Sequence, residues 1–430
     1  MNSNRRSNSK QYLNLYFQIH QPRRLKNFHF FDIGSNGSYF DDELNKDILA
    51  RVARNCYLPM NKLLLRLIKK YPQIRITFSI TGVALDQLQK HASAVVDSFR
   101  ALAATGAVEF LGETYYHSLS FLINRTEFAT QIEKHREKII ELFGIQPVTF
   151  RNTELAYSDA IGTVVCDLGF KGIYLDGIDS ILHGRSPNYL YKHPLSDLVL
   201  IPRNYRLSDD IAFRYADKNW VSWPLTAKTF VSWLKSIPNE ENFICLGIDY
   251  ETFGEHQMAQ DGIFEFMEDV ISSVAKLKQF GFATPTEAIK FLPATDAIST
   301  TKVISWADQA RDLSAWVGND MQRDAFDTLM KLYPKVMNTS NEAFINTYRH
   351  LQTSDHFYYM STKKDEDGDV HQYFSPYSSP YEAFMNYMNV LADVELRIRN
   401  LQAKLNQKTK LERRSRPDIN LLLKRKGLVK

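Results

Sequence analysis

The stretch FICLGIDYETFGEH, residues 243–256, decides how this chain is read. Residues 244–248 are apolar or small without interruption, and Asp249 follows at once. A short apolar run of that kind reads as a buried strand. Working outward, six further runs of the same character occur at 13–19, 74–80, 108–111, 148–150, 172–175 and 198–201. Amphipathic stretches long enough for helices separate most of them. Residues 53–69 carry Leu58, Leu63, Leu64, Leu67 and Ile68 near helical spacing, and 127–143 is a similar pattern that stops at Gly144. Strands alternating with helices predict a parallel sheet. Seven repeats with both sheet faces apolar favour a closed or nearly closed barrel over an open sheet.

Each run ends in polar or charged residues: His20, Thr81, Glu113 with His117, Glu154, Asp176, Arg203 and Asp249. A parallel α/β barrel gathers such residues on one rim, where catalytic groups cluster. Two of them, Glu154 and Asp249, are carboxylates that follow apolar strands. A pair of that kind suits acid/base or nucleophilic work, as in sugar-bond cleavage.

Composition narrows the classes. The 430 residues are 44% hydrophobic, which supports a real core and excludes global disorder. Aromatic residues make up 13%; they serve cores and interfaces, and sugar rings also stack on them. Cys56, Cys166 and Cys245 are odd in number and far apart, so neither a disulfide framework nor a zinc spacing follows. They read as reduced core thiols, in keeping with a cytoplasmic location. No apolar run approaches a membrane span, and MNSNRRSNSK lacks the apolar segment of a secretory signal. The net charge of +4 conceals an asymmetry: residues 404–430 hold ten Lys or Arg against two acids, which leaves the rest at −4. A solvated tail or frayed helix accounts for that end, a polyanion or membrane-surface contact is the weaker alternative, and no nucleic-acid partner is expected.

Several clusters carry chemistry. IHQPRRL puts His20 and Gln21 where a strand stops at Pro22, and His20 suits a hydrogen bond to a substrate hydroxyl or a metal. VEFLGETYYHSL offers Glu109, Glu113 and His117; the last two have the spacing of a metal pair on a helix, but Gly112 and Thr114-Tyr115-Tyr116 disfavour a helix there. In TELAYSD, Thr153 or Ser158 caps the next helix while Glu154 is free to act as a nucleophile. DYETFGEH packs Asp249, Glu251, Glu255 and His256 into eight positions, and like charges so close push one acid upward in pKa, as a general acid requires. In RDLSAWVGND, Asp312 and Trp316 lie four apart on a predicted helix, as core or as a sugar platform. No glycine-rich phosphate loop is present.

Taken together, IHQPRRL, VEFLGETYYH, RNTELAYSD, GIDYETFGEH, RDLSAWVGN, SDHFYYM and HQYFSPYSSPYEAF resemble the family 57 glycoside hydrolases of α-amylase type, from about residue 12 to about residue 400. The resemblance implies a (β/α)7 barrel followed by a helical region that closes over the cleft. It implies a retaining enzyme acting on α-1,4-glucans, with Glu154 as nucleophile and Asp249 as acid/base. It also implies substrate contact by His20, a second-motif carboxylate at Glu109, and a fifth motif containing Trp316. Gln21, Glu113, His117, Glu251, His256 and Asp312 complete the candidate substrate contacts. The expected partner is an α-glucan, and no metal or organic cofactor is required. A 4-α-glucanotransferase would use the same pair, and a metal-dependent carbohydrate deacetylase would instead gather His20, Glu113 and His117 around zinc. A carbohydrate-binding or regulatory protein docking through its basic C-terminus is a third class. The expected organisation is a disordered tail at 1–11, the barrel at 12–292, helices at 293–403 and a basic tail at 404–430.

Overall fold

The computed structural model describes residues 10–35, 37–363 and 373–415. The basic end beyond 415, His371 and Gln372 of the aromatic loop, and most of the expected N-terminal tail lie outside the described residues. Among the described residues nine strands form: β1 Gln11–Ile19, β2 Ile76–Ile80, β3 Val108–Phe110, β4 Thr149–Arg151, β5 Gly172–Asp176, β6 Tyr191–Lys192, β7 Val199–Arg203, β8 Phe243–Asp249 and β9 Phe280–Phe282. Seven of these are the apolar runs. The other two are short: β6 pairs antiparallel with β7, and β9 pairs with the first residues of β1. The expected tail at 1–11 overreaches by a residue, because Gln11 opens β1 and is buried, with its amide bonded to the carbonyls of Pro238 and Glu241.

The seven principal strands close into a ring. Ladders run β3-β2-β1-β8 and β4-β5-β7, all parallel. The two sheets meet at two seams. Gly112 N–H donates to Thr149 O (2.8 Å) and its carbonyl accepts from Arg151 N (2.8 Å), joining β3 to β4. Between β7 and β8, the Asn204 backbone N–H donates to Cys245 O (2.8 Å) and the Arg203 side-chain Nε to Gly247 O (2.6 Å), so one backbone bond and one side chain complete what the ladder leaves open. The result is a (β/α)7 barrel.

Strand β1 shows how residue order sets the layers. Leu13, Leu15, Phe17 and Ile19 face the helices in the largest apolar cluster. The alternate residues face inward. Asn14 Nδ2 donates to Thr77 Oγ1 (3.0 Å), Tyr16 OH to Gln18 Oε1 (2.9 Å), and Gln18 Nε2 to Glu113 Oε2 (3.2 Å). The interior is thus a polar column rising to the rim. Gly247 is the small residue of the ICLGI run for a reason: it pairs with Tyr16 on the neighbouring β1, and a Cβ there would come within 2.8 Å of the Tyr16 ring.

The helix expected at 53–69 starts earlier. It runs from Asp42–Val52 through one wide π turn, Ala53–Tyr57, into Leu58–Lys70. Arg125–Phe143 ends on Gly144 in the left-handed region (φ 66°), as the sequence predicts.

After the barrel helix Pro285–Phe291 the chain does not leave the barrel at once. Residues 295–304 strap back along it, with Thr295 N–H on Leu190 O, Ile298 N–H on Lys192 O and Ile304 N–H on Tyr157 O. The helices that follow are Ser314–Val317, Asp320–Met337, Glu342–Leu351, Ser354–Tyr358 and Pro380–Ser415. Helix is absent from 306 to 313, where it was expected, and the last helix passes through 404 instead of ending there. These helices build a second core around Trp316, Phe326, Leu329, Tyr348 and Tyr387. The loop after β1 joins it: Tyr39 OH and Gly34 N–H both donate to Asp393 at 2.6 Å. Among the described residues no helix is long and apolar enough to cross a membrane.

Candidate active site

The carboxyl ends of the strands open into one cavity of about 990 Å³, including its mouth. Of the residues singled out in the sequence, His20, Gln21, His117, Glu154, Arg203, Asp249, Glu251 and His256 line it. Glu154 and Asp249 enter from β4 and β8, strands that are not neighbours in the ring.

Glu154 sits in a turn whose backbone is left-handed at two successive residues, Glu154 (φ 57°) and Leu155 (φ 52°). Such a conformation costs on the order of 1–3 kcal/mol per residue and persists only where the surroundings enforce it. They do so here. Asn152 Nδ2 donates to Ala156 O (2.9 Å), Leu155 N–H to Asn152 O (2.9 Å), and Trp306 N–H to the Glu154 carbonyl (3.2 Å). The turn aims the carboxylate at three donors. His117 Nε2 lies 2.9 Å and Ser354 Oγ 3.3 Å from Oε1, and Trp306 Nε1 lies 2.8 Å from Oε2.

His117 bridges two carboxylates, with Nδ1 2.6 Å from Glu113 Oε1. Burial alone would lower its pKa, but the hydrogen bonds to Glu113 and Glu154 outweigh that and raise it to about 9. Both ring nitrogens therefore donate. Burial would push Glu113 up; Arg151, then His117, hold it instead at about 2. His20 stacks on His117 with centroids 4.0 Å apart. Burial, and then the positive charge of His117, lower its pKa, so it is neutral near pH 7. Its Nε2 faces Asp355 Oδ2 at 2.9 Å and its Nδ1 faces Thr81 Oγ1 at 2.9 Å. A carboxylate only accepts, which assigns the proton to Nε2 and the acceptor role to Nδ1. The nitrogens of both histidines are thus engaged, and Glu113 carries a guanidinium. Among the described residues no group of three or more His, Cys, Asp or Glu is arranged to hold a metal ion.

Asp249 ends β8 and is half-buried at the cavity wall. Two residues on, Glu251 is buried, and burial, followed by the charge of Asp249, raises its pKa to about 8. At neutral pH Glu251 is therefore a neutral acid. Tyr57 OH makes a short hydrogen bond to its Oε1, and Gln21 Nε2 approaches the same oxygen at 3.5 Å. The π turn at Ala53–Tyr57 makes this contact, and wide turns of that type recur at functional sites. The same turn meets Gly254 so closely that a Cβ would lie 2.1 Å from Asn55 O, at a φ of 110° that already favours glycine.

Four candidates are not brought to the cavity wall. Glu109 points into the barrel, accepting from Thr149 Oγ1 (2.6 Å), Thr286 Oγ1 (2.7 Å) and Thr286 N–H (3.0 Å). Its helix-start partners explain the carboxylate there. Glu113 lies behind His117. Asp312 accepts from Ser314 N–H (2.8 Å). Trp316 is fully buried in the second core beside Tyr358. An indole in that pattern served as core, not as a platform.

Other residues line the cavity unforeseen: Trp306, Arg151, Asp209, Asp355, Phe213 and Phe374. Trp306 is placed by two arginines. Its ring lies 4.9 Å from the Arg151 guanidinium and 5.3 Å from that of Arg203. Arg203 and Arg311 each bridge Asp176 and Asp209 (2.5–3.2 Å), and Arg311 also donates to Trp306 O. Asp209, Ala212 and Phe213 follow one helical stripe along the wall, at spacings of three and four. That stripe was readable as periodicity but not as cavity lining.

Comparison with known proteins bears on the family and the fold. The model of glycosyl hydrolase family 57 matches residues 14–301. A Methanocaldococcus jannaschii protein described as a "putative alpha-amylase" is 42% identical over 404 residues, covering 90% of this chain and 85% of that protein. The amylase AmyC of Thermotoga maritima superposes with a TM-score of 0.63 at 12% identity, over 92% of this chain and 93% of that one. The 4-alpha-glucanotransferase of Thermococcus litoralis superposes with a TM-score of 0.63 at 14% identity, over 81% of this chain; the chain spans 56% of that enzyme's length. At these identities the two structures speak for the fold.

Proposed function

The chain belongs to glycosyl hydrolase family 57, and we propose that it cleaves α-1,4-glucosidic bonds of glucans with retention of configuration. One observation carries the assignment: Glu154 and Asp249, ninety-five positions apart in sequence, line the same cavity. Glu154, held by three donors including a charged imidazole, acts as the nucleophile. Asp249, at the end of β8 in the cavity wall, gives a proton to the glycosidic oxygen as Glu154 bonds to the anomeric carbon. Asp249 then takes a proton from the acceptor as that bond breaks. The chemistry calls for carboxyl groups roughly 5–5.5 Å apart. Water as acceptor gives hydrolysis; a glucan hydroxyl gives transfer. Trp306, Phe213 and Phe374 supply flat apolar faces for sugar rings. A cytoplasmic setting fits the free thiols Cys56, Cys166 and Cys245.

The test is incubation with maltooligosaccharides. The wild-type protein should release an α-anomer first, and Glu154→Gln and Asp249→Asn should each lose turnover while still binding glucan. Normal turnover in either variant, or a β-anomer, rejects the assignment. A ladder of longer and shorter products identifies transfer, whereas shortening alone identifies hydrolysis.

A further inference from the structure

We propose that Glu113 and Arg151 form a buried ion pair that positions the nucleophile, Glu113 being the anion on which two cations, His117 and Arg151, are held beside Glu154. This rests on the reading of Glu154 as nucleophile. It also changes the expected role of Glu113 from substrate contact to support.

Geometry carries the argument. Glu113 is fully buried and accepts from four side chains: Ser79 Oγ (2.6 Å), His117 Nδ1 (2.6 Å), Gln18 Nε2 (3.2 Å) and Arg151 Nη1 (3.2 Å). Its acceptor sites are filled by the protein, which leaves none for a sugar hydroxyl. Arg151 is equally buried, yet its Nε and Nη2 have no hydrogen-bond partner. Removing a guanidinium from water and leaving two donors idle is costly, and apolar residues of the same volume are often more stable than a buried pair. Packing therefore does not account for it. What Arg151 has instead is electrostatic company: the carboxylates of Glu113, Glu154 and Asp249 offset the cost of burying its charge. By reciprocity it stabilises Glu154 as the anion that a nucleophile must be.

Glu113 then has two effects. It fixes His117 and Arg151 in place, and it cancels one of their charges. The second matters because the transition state develops positive charge at the anomeric carbon. Two uncompensated cations beside that carbon would oppose it. The other ionisable groups nearby are His20 on β1, His135 on the helix Arg125–Phe143, Arg203 at the end of β7, Asp249 and Glu251 at the end of β8, and Asp355 from the helical region. His135 is neutral through burial; its Nδ1 accepts from Glu113 N–H (3.2 Å) and its Nε2 faces Ile80 O (2.8 Å). It adds no charge to the balance.

The experiment is histidine-imidazole NMR across pH on the whole protein, together with kinetics on maltooligosaccharides. In the wild type the His117 ring should stay doubly protonated through neutral pH and titrate near 9. In Glu113→Gln it should lose its proton at least about one pH unit lower. The basic limb of kcat should move the same way, with kcat reduced at least about tenfold and KM within about twofold. If that variant does not fold, Glu113→Gln combined with Arg151→Met removes both charges together; it should fold, keep glucan binding and remain slow. A wild-type His117 that titrates near 6.5, or either variant with wild-type kcat and pH profile, overturns the proposal. Failure of the nucleophile assignment is separable: normal turnover by Glu154→Gln rejects Glu154 as nucleophile, whereas the effect of Glu113→Gln on the His117 titration is read by NMR with Glu154 in place.

Discussion

Replacing Trp306 by Phe keeps a flat ring beside the Arg151 and Arg203 guanidiniums and removes one N–H. That N–H stands 2.8 Å from Glu154 Oε2. In the first chemical step Glu154 gives up its charge to the new glycosyl bond; in the second it departs as a carboxylate and the charge returns. A donor aimed at that oxygen therefore contributes most to the second step. A hydrogen bond to a charged group contributes roughly 1.5–3 kcal/mol. At about 1.4 kcal/mol per factor of ten, its full loss slows release of the glycosyl group by about 10- to 150-fold. The assay is rapid mixing with an activated α-glucoside, with leaving-group release and intact protein mass followed together. Trp306→Phe should show a burst of leaving group and an enzyme heavier by one glycosyl unit, which the wild type does not accumulate. The reasoning is refuted if the second step stays within about twofold of wild type, because a bond at this distance to a charged oxygen cannot be that weak.

Two further outcomes follow from the geometry. Glu251 has a folded pKa of about 8 against an ordinary 4.5, so the stability associated with its neutral form is fully present below about 4.5 and lost as pH rises through 8; Glu251→Gln should flatten the decline of Tm across that window, and an unchanged slope would show that Glu251 does not titrate there. Glu109→Gln and Trp316→Phe lie away from the cavity and should lower Tm while leaving KM for glucan unchanged; a several-fold rise in KM in either would place that side chain in contact with the sugar.

How far the sequence could be read depends on what each residue answers to. The barrel strands were legible because their helix-facing residues are apolar, Leu13, Leu15, Phe17 and Ile19 on β1 and Ile244, Leu246 and Ile248 on β8. The inward Asn14 and Gln18 show that the barrel interior is polar where the sequence suggested two apolar faces. Strands β6 and β9, two and three residues long, leave no such signature. The helix at Asp42–Val52 was missed because the π turn at Ala53–Tyr57 shifts the apolar stripe out of phase between its two halves. Glu154 and Asp249 were legible because position at a strand end is a one-dimensional property. Trp306 was not, because its neighbours come from β4, β7 and the segment it belongs to. Nothing within ten residues of it marks it as a partner of Glu154.

The reading of Glu113 is the most instructive. A carboxylate just past a strand, four residues before a histidine, has the same local pattern whether it meets substrate, metal or protein. What separates these is the number of donors around it, and three of the four come from distant segments: Gln18 on β1, Ser79 on β2 and Arg151 on β4. An arginine in a strand argues for a partner on physical grounds, since a buried guanidinium without one is rarely tolerated. The FRN of residues 150–152 thus held a signal: an arginine facing inward in a closed barrel requires an anion at the same height. Glu113 enters at that height, because Gly112 is bonded to both Thr149 and Arg151 across the β3–β4 seam. Sequence order and barrel register together identify the pair, but only after the seam is known. The seam is held by two backbone bonds to one glycine, which no pattern of hydrophobicity records.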